Sequence, residues 1–354
     1  MPRINQKKIK MKKNLRNILA VGLGLITTVA FAQDWDVDSR TRIDQSGDND
    51  QNVTTNRTTL GATWGGSDWG IHLSSDVNYM LSNQATTTLM NGGDELSMEI
   101  YEVYASTDLM GYATLTIGRQ ALNYGSGALI SSRDWSANRS TWDGMSFGLN
   151  LDMADVTVGY ASNNMGGVDE EDTGNMYLNA NGDFSGWNVN LLYMTNTAED
   201  DAATGIDISG EVSGATVSAS MNTDYDGDDM RVLGLSYAVN DDMSVNVGQT
   251  VYGDDGDGTG FAMANTNMSG GDWSNGQMGY LLNGDEMLSY GLTYNMSGIS
   301  LGATMNNITN ADATERDVTE FSLGYSLNDN AGLSLQYADD ADTKYMWLTL
   351  NVGL

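Results

Sequence analysis

The chain has no cysteine and a single proline, Pro2, and beyond residue 33 it carries only nine basic side chains and one histidine. Without cysteine, neither a disulfide nor a thiolate metal site can form. With no proline after Pro2, nothing removes a ladder hydrogen bond from a sheet. The nine bases stand against 47 acids in that region, a formal charge of −38. Such a balance excludes nucleic-acid binding by any electrostatic route. Apolar runs are scarce too. The one uncharged apolar stretch, residues 18–32, is too short to cross a bilayer as a helix.

That stretch follows Met11, Lys12, Lys13 and Arg16 and closes on Ala30-Phe31-Ala32, a small-x-small cleavage pattern. It reads as a secretory signal peptide, residues 1–32 with an upstream extension, removed before Gln33. The alternative, a membrane-anchoring N-terminal helix, is disfavoured by the shortness of the run. One exported domain, residues 33–354, is then expected, with no linker and no fixed-period repeat.

What the chain has in quantity is glycine (42 residues), asparagine, serine and threonine, a composition that also suits disordered or secreted repeat proteins. Periodicity decides against those. Apolar residues recur at every second position, as in Trp187, Val189, Leu191, Tyr193; Leu233, Leu235, Tyr237, Val239; Leu288, Tyr290, Leu292, Tyr294; and Phe321, Leu323, Tyr325, Leu327. Tight links around Gly66, Met110, Ala154, Ser185, Ser213, Asn240, Ser297 and Asp329 alternate with longer ones. The longer ones lie around Gly47, Thr87, residues 121–141, Val168, Asp200, Asp226, residues 253–285, Ala311 and Asp340. Short turns on one side and long loops on the other predict an all-β fold, an antiparallel transmembrane up-and-down barrel of about 18 strands with both termini in the periplasm. Only a closed barrel of strands satisfies every backbone N–H and C=O in hydrocarbon. Trp35, Trp64, Trp69, Trp187, Tyr193 and Tyr337 fall near strand ends in the outward phase, as interfacial girdles require.

The last strand agrees. Met346, Leu348, Leu350, Val352 and Leu354 are apolar, with Trp347, Thr349, Asn351 and Gly353 between them. This resembles the closing strand of a bacterial outer-membrane barrel, which implies the barrel-assembly machinery and outer-membrane lipid as partners. Strands of that kind usually end in an aromatic residue, and Leu354 departs from that.

The same alternation sorts the charges. Trp35, Val37 and Ile43 face out, so Asp34, Asp36, Asp38, Arg40 and Arg42 face the lumen; Arg57, His72 and Asp76 join them from the next two strands. An arginine on the lipid face near the midplane would cost roughly 2–4 kcal/mol, which fixes the phase. Inward positions from Gly234 to Ala338 are mainly Gly, Ser, Thr, Asn and Gln, with Glu320 an exception, so a small neutral wall is expected opposite the charged one.

One segment stands apart. From Tyr112 to Trp142 it holds Arg119, Arg133 and Arg139 against one acid, Asp134. Its residues Gly118-Arg119-Gln120, Tyr124-Gly125, Asp134-Trp135, Arg139 and Asp143-Gly144 resemble the signature of the alginate-export family of outer-membrane barrels. The resemblance implies a barrel of similar strand number whose arginine-lined lumen passes an anionic polysaccharide. Ala128 stands where that family commonly has arginine, and Trp142 where it typically has Phe. With nine basic residues beyond residue 33, diffusion of small polar or anionic solutes or saccharides suits the chain better than polyanion export. The candidate pore-lining residues are Arg40, Arg42, Arg57, Asp76, Arg119, Arg133, Asp134, Arg139 and Asp143. Arginine pairs bidentately with carboxylate, so Arg133 or Arg139 with Asp134 or Asp143 would pin a loop folded inward. Strict alternation turns Arg119 outward unless a bulge at Gly118 corrects it.

No cofactor and no metal site is expected. Acidic loops at residues 44–50, 169–172, 224–229, 254–257 and 339–342 read as a solvated surface, with Ca²⁺ binding by an adhesive barrel as the sharper alternative. A barrel hydrolase using His72 lacks a legible nucleophile and orienting group, so no enzyme is expected.

Overall fold

The structure, a computed structural model, describes residues 34–46, 53–81, 96–134, 139–162, 174–196, 202–253, 261, 281, 284–340 and 343–354. The expected leader, Trp135 and much of the acidic loops lie outside these. The described residues form eighteen strands. They are β1 (Asp34–Asp44), β2 (Val53–Gly65), β3 (Trp69–Met80), β4 (Leu96–Asp108), β5 (Thr114–Gln120), β6 (Trp142–Leu151), β7 (Ala154–Ser162), β8 (Gly174–Phe184) and β9 (Trp187–Asn196). The second half comprises β10 (Ala202–Val212), β11 (Ala215–Thr223), β12 (Asp229–Ala238), β13 (Met243–Tyr252), β14 (Glu286–Met296), β15 (Ile299–Thr309), β16 (Glu315–Asn328), β17 (Ala331–Asp340) and β18 (Thr343–Gly353).

Each strand pairs antiparallel with its neighbours in sequence, and β1 pairs with β18 from Asp38↔Gly353 to Asp44↔Trp347, which closes the ring. Closure leaves no edge strand, so no ladder group is left facing hydrocarbon. The expected barrel is therefore the observed one.

Local chemistry makes the tight turns. Three hairpins are closed by Ser-Gly pairs with both residues at positive φ: Ser185 and Gly186 (54° and 87°), Ser213 and Gly214 (53° and 81°), Ser297 and Gly298 (48° and 84°). Two consecutive left-handed residues make a type I′ turn, whose twist matches that of the flanking strands. Along the strands, Leu233, Leu235 and Tyr237 or Phe321, Leu323 and Tyr325 present their side chains outward, exposed to the bilayer's place. The alternate residues line the interior.

Two features differ from the sequence expectation. The link near Asp340 is short, because the β17–β18 ladder continues to Asp340↔Thr343. The inward wall of β12–β18 is small and polar only in its lower and middle parts. At the extracellular ends Met230, Tyr252, Met287, Ile308, Val318 and Trp347 turn inward and are buried, packed with Phe261 and Leu281 of the β13–β14 connection. A dry layer thus forms at that end where alternation alone suggested water. Arg316 fastens the base of this connection: it pairs with Asp340 and lies 3.7 Å from Asp285, which is buried.

The alternation carries a direct test. Leu292→Arg, on the lipid face near mid-strand, should lower folding stability in lipid vesicles by about 2–4 kcal/mol. Thr293→Arg, facing the lumen, should cost well under half of that in the same denaturant titration.

Candidate functional site: a loop folded across the lumen

The described residues of the β5–β6 connection, 121–134 and 139–141, lie within the barrel and reach both of its walls. The root of this loop is set by Glu102, whose Oε1 accepts the Ala121 N–H at 2.9 Å. From there the chain doubles back on itself. The Asn123 carboxamide accepts the Ser132 N–H at 2.8 Å and donates to the Ser132 hydroxyl at 2.9 Å, and Ser140 N–H reaches the Ser132 carbonyl at 2.7 Å.

The tip, Tyr124-Gly125-Ser126-Gly127, meets the inner wall of β8–β11. The Tyr124 ring lies 5.4 Å from Tyr177 of β8. Burial, followed by the Tyr177 neighbour, pushes the Tyr124 phenol well above its ordinary pKa, so it stays neutral. Gly125 has φ +58°, and a β-carbon there would come within 2.0 Å of Asp207 Oδ2 and 2.7 Å of Asn190 Nδ2. Only glycine allows that approach. Behind it Ala128, Leu129 and Ile130 are essentially inaccessible, with Leu192, Met194 and Ala203 in the same cluster. Ala128 is 1% exposed, so an arginine at this position would place an unpaired charge in an apolar contact.

The return leg docks on β1–β4. Arg139 makes two hydrogen bonds to Asp76, one of them Nε to Oδ2 at 2.9 Å, and donates to Thr59 Oγ1 at 3.0 Å. Its guanidinium lies over the Tyr101 ring, 3.3 Å from the centroid. Both partner side chains are nearly buried, 9% and 5% exposed. Burial opposes the Arg139 charge, but the Asp76 hydrogen bonds and the neighbouring Asp134 outweigh it and hold its pKa above the ordinary guanidinium value. The Asp134 carbonyl accepts from Arg40 Nη1 at 2.8 Å and from Arg57 Nη1 at 3.0 Å. Asp134's carboxylate lies 3.5 Å from Arg139. Arg42, two residues along β1, is near enough to repel Arg40.

In an 18-strand ring β1–β2 stand diametrically opposite β10–β11. The loop therefore bridges the lumen from wall to wall, between β1–β4 and β8–β11. The small polar wall flanks the arginines rather than facing them.

Most of the expected residues meet here: Arg40, Arg42, Arg57, Asp76, Asp134 and Arg139. Arg133 lies on the same leg, at φ +54°, with its N–H on Ser131 Oγ at 3.1 Å. Arg119 and Asp143 do not join them, and this corrects their assignment to the pore. The ladder runs unbroken through Val103↔Arg119↔Asp143, in the outward phase of Ile117 and Met145. No bulge occurs at Gly118. The two form a bidentate pair on the outer surface, both contacts 2.8 Å, at the extracellular end of β5 and β6.

Sequence reasoning missed Tyr101 and Glu102. A register shift between Ser74 and Ser75 leaves Tyr101 as an extra residue in β4, so Tyr101 and Glu102 both point inward. The signal was present: Leu96, Met98 and Ile100 are apolar on even positions, Val103 and Ala105 on odd ones.

A closed 18-strand barrel with a lipid-facing apolar surface and a lumen narrowed by an inward loop defines a porin-like channel of the bacterial outer membrane. The family model described as "Alginate export" matches residues 19–249, and the chain belongs to that family. Comparison with curated proteins returns no significant match. Among solved structures the chain is similar to Pseudomonas aeruginosa OpdK with vanillate, at 15% identity and TM-score 0.70, covering 92% of this chain and 100% of that one. It is also similar to Pseudomonas aeruginosa OccK8 (OprE), at 12% identity and TM-score 0.66 over 92% and 99% of the two chains. Acinetobacter baumannii OccAB3 matches at 10% identity and TM-score 0.68 over 90% and 98%.

The pins make a testable device. Arg139→Met leaves Asp76 buried without its partner, a change that costs about 3–5 kcal/mol at such sites. The loop should detach, seen as faster protease cleavage within residues 121–141 and a larger single-channel conductance. Gly125→Val should raise conductance in the same way while leaving the Arg139 pins intact.

Proposed function

We propose that this channel lets small polar solutes diffuse across the outer membrane with a preference for anionic ones, saccharide acids and other small carboxylates among them. The observation that carries this reading is the cluster of Arg40, Arg42, Arg57 and Arg139 around Asp76 and Asp134 on the lumenal side of β1–β4. Within a chain of strongly negative charge, guanidiniums gathered on one wall of the lumen attract an anion to that wall. Guanidinium offers carboxylate two parallel donors, which favours carboxylates over other anions of similar size. OpdK, whose fold this chain shares, has been crystallised with vanillate, itself an aromatic carboxylate.

The family and the structures of like fold are channels and export proteins, which speaks for transport rather than catalysis. His72 sits between the Thr63 hydroxyl, 2.9 Å from Nδ1, and Glu102, 3.7 Å from Nε2. Export of a polyanion fits less well, because the loop-facing arginines are engaged in holding the loop and the position that is commonly arginine is the buried Ala128. Residues 1–32 serve, in this reading, as the removed leader. β18, bonded to both β17 and β1, serves as the strand the assembly machinery recognises. Calcium at the acidic loops has weaker support: among the described residues no group of three acidic or histidine side chains is arranged to hold a metal. In the loop after β11, Asp224 Oδ1 accepts the N–H groups of Asp226 and Asp228, closing its own turn.

Reversal potentials across planar bilayers in a salt gradient provide the check. Arg40→Gln, Arg42→Gln and Arg57→Gln combined should lower the anion-to-cation permeability ratio by about tenfold or less, in proportion to the charge removed. An unchanged ratio would refute the anion preference.

A further inference from the structure

The β4 bulge puts one carboxylate where it can govern the loop, and the chain's sole histidine lies against it. Glu102 has two oxygens with two separate tasks. Oε1 holds the Ala121 N–H, the first loop residue after β5, at 2.9 Å. Oε2 stands 3.7 Å from His72 Nε2. The imidazole is fixed from its other nitrogen by Thr63 Oγ1, 2.9 Å from Nδ1, and by stacking on Tyr104, with centroids 5.0 Å apart and planes 22° apart. Histidine and glutamate are both largely buried, 15% and 20% exposed.

We infer that Glu102 is a positioning residue that sets the width of the channel by fixing the root of the inward loop, and that protonation of His72 tightens this hold. The groups that face the imidazole bear on the sign. β4 supplies Glu102 and Tyr104, and β2 supplies the uncharged Thr63. On β1 the same cross-strand row continues into Asp34, opposite Thr63, and the next into Asp36, opposite Gly61. On β3 itself Asp76 is already committed to Arg139. Glu99 of β4 faces the lumen opposite Asp76. Glu102 is the charged group in contact with the imidazole.

An imidazolium would pair with Oε2 without displacing Oε1 from Ala121, because the two oxygens act on opposite sides of the carboxylate. Acid therefore orients the carboxylate and steadies the loop root; neutral imidazole leaves only the weaker contact. Histidine ordinarily changes charge between about pH 5 and pH 8, within the range an outer-membrane protein meets. The idea goes beyond the anion preference, since it concerns loop mobility for any solute.

Single-channel recording of the full chain in symmetric KCl at about pH 8 and about pH 5.5 tests it. In the parent protein, excursions to larger conductance, when the loop lifts from its root, should become about fivefold rarer at the acidic pH, the ratio a partly exposed ion pair commonly supplies. His72→Gln should keep an ordinary open conductance and lose that pH dependence. Glu102→Gln keeps an acceptor for Ala121 but no charge, and should show frequent excursions at both pH values. Should Glu102→Gln fail to fold, His72→Gln alone decides the pH-linked part, and the parent's sensitivity to modification of its one imidazole by diethyl pyrocarbonate repeats it. A His72→Gln channel with the parent's pH profile, or excursions that do not change with pH in the parent, would overturn the inference. An anion-to-cation ratio that stays normal in both variants separates this result from the permeability reading.

Discussion

Backbone hydrogen bonding in a solvent that offers none governs this molecule. Along the described strands the backbone groups pair with neighbouring strands, bulges apart, and the β1–β18 ladder closes the ring. Once the wall is a ring of strands, side chains must alternate between lipid and lumen, and the ring must be hollow at this strand number. The remaining features answer what to do with the hollow. A segment between two adjacent strands fills part of it, held by charges that would be costly anywhere else in the wall.

The loop is held differently at its two ends. At the tip the contact is apolar and steric: Leu129 and Ile130 are buried, and Gly125 permits a backbone approach that any β-carbon would forbid. On the return leg the contact is ionic, with Arg139 on Asp76 and two further guanidiniums on the Asp134 carbonyl. Three of the nine basic residues beyond residue 33 are engaged there. One group of side chains thus does two things, since the guanidiniums that fasten the loop also place positive charge on the lumenal face of β1 and β2.

The wall was legible in the sequence because its signals are local and repeated. A two-residue period, Ser-Gly turns and an amphipathic last strand each reflect a constraint visible within ten residues. The lumenal phase of Arg40, Arg42, Arg57 and Asp76 followed from the same period. Strict alternation also turned Arg119 outward, and the structure keeps it there with Asp143; placing the pair in the pore required a bulge that does not exist. The irregularity lies instead in β4, where Tyr101 is inserted, and only the slip from Leu96-Met98-Ile100 to Val103-Ala105 betrayed it. Contacts across the barrel were not legible at all. Nothing in the local pattern says that Gly125 reaches Asp207 and Asn190, some seventy residues away, or that Met230, Tyr252, Met287 and Ile308 pack against the β13–β14 connection rather than lining a wet wall. Those depend on contacts between distant segments inside a space that the strands merely enclose.

The one-sided placement of the guanidiniums has its own consequence. Arg40, Arg42, Arg57 and Arg139 all lie on the β1–β4 side, so their charge does not cancel about the barrel axis. A dipolar solute in such a field is turned with its negative end toward β1 and β2. Two isomers of equal bulk but different placement of a carboxylate would meet this lumen in different orientations, and so need not cross at the same rate.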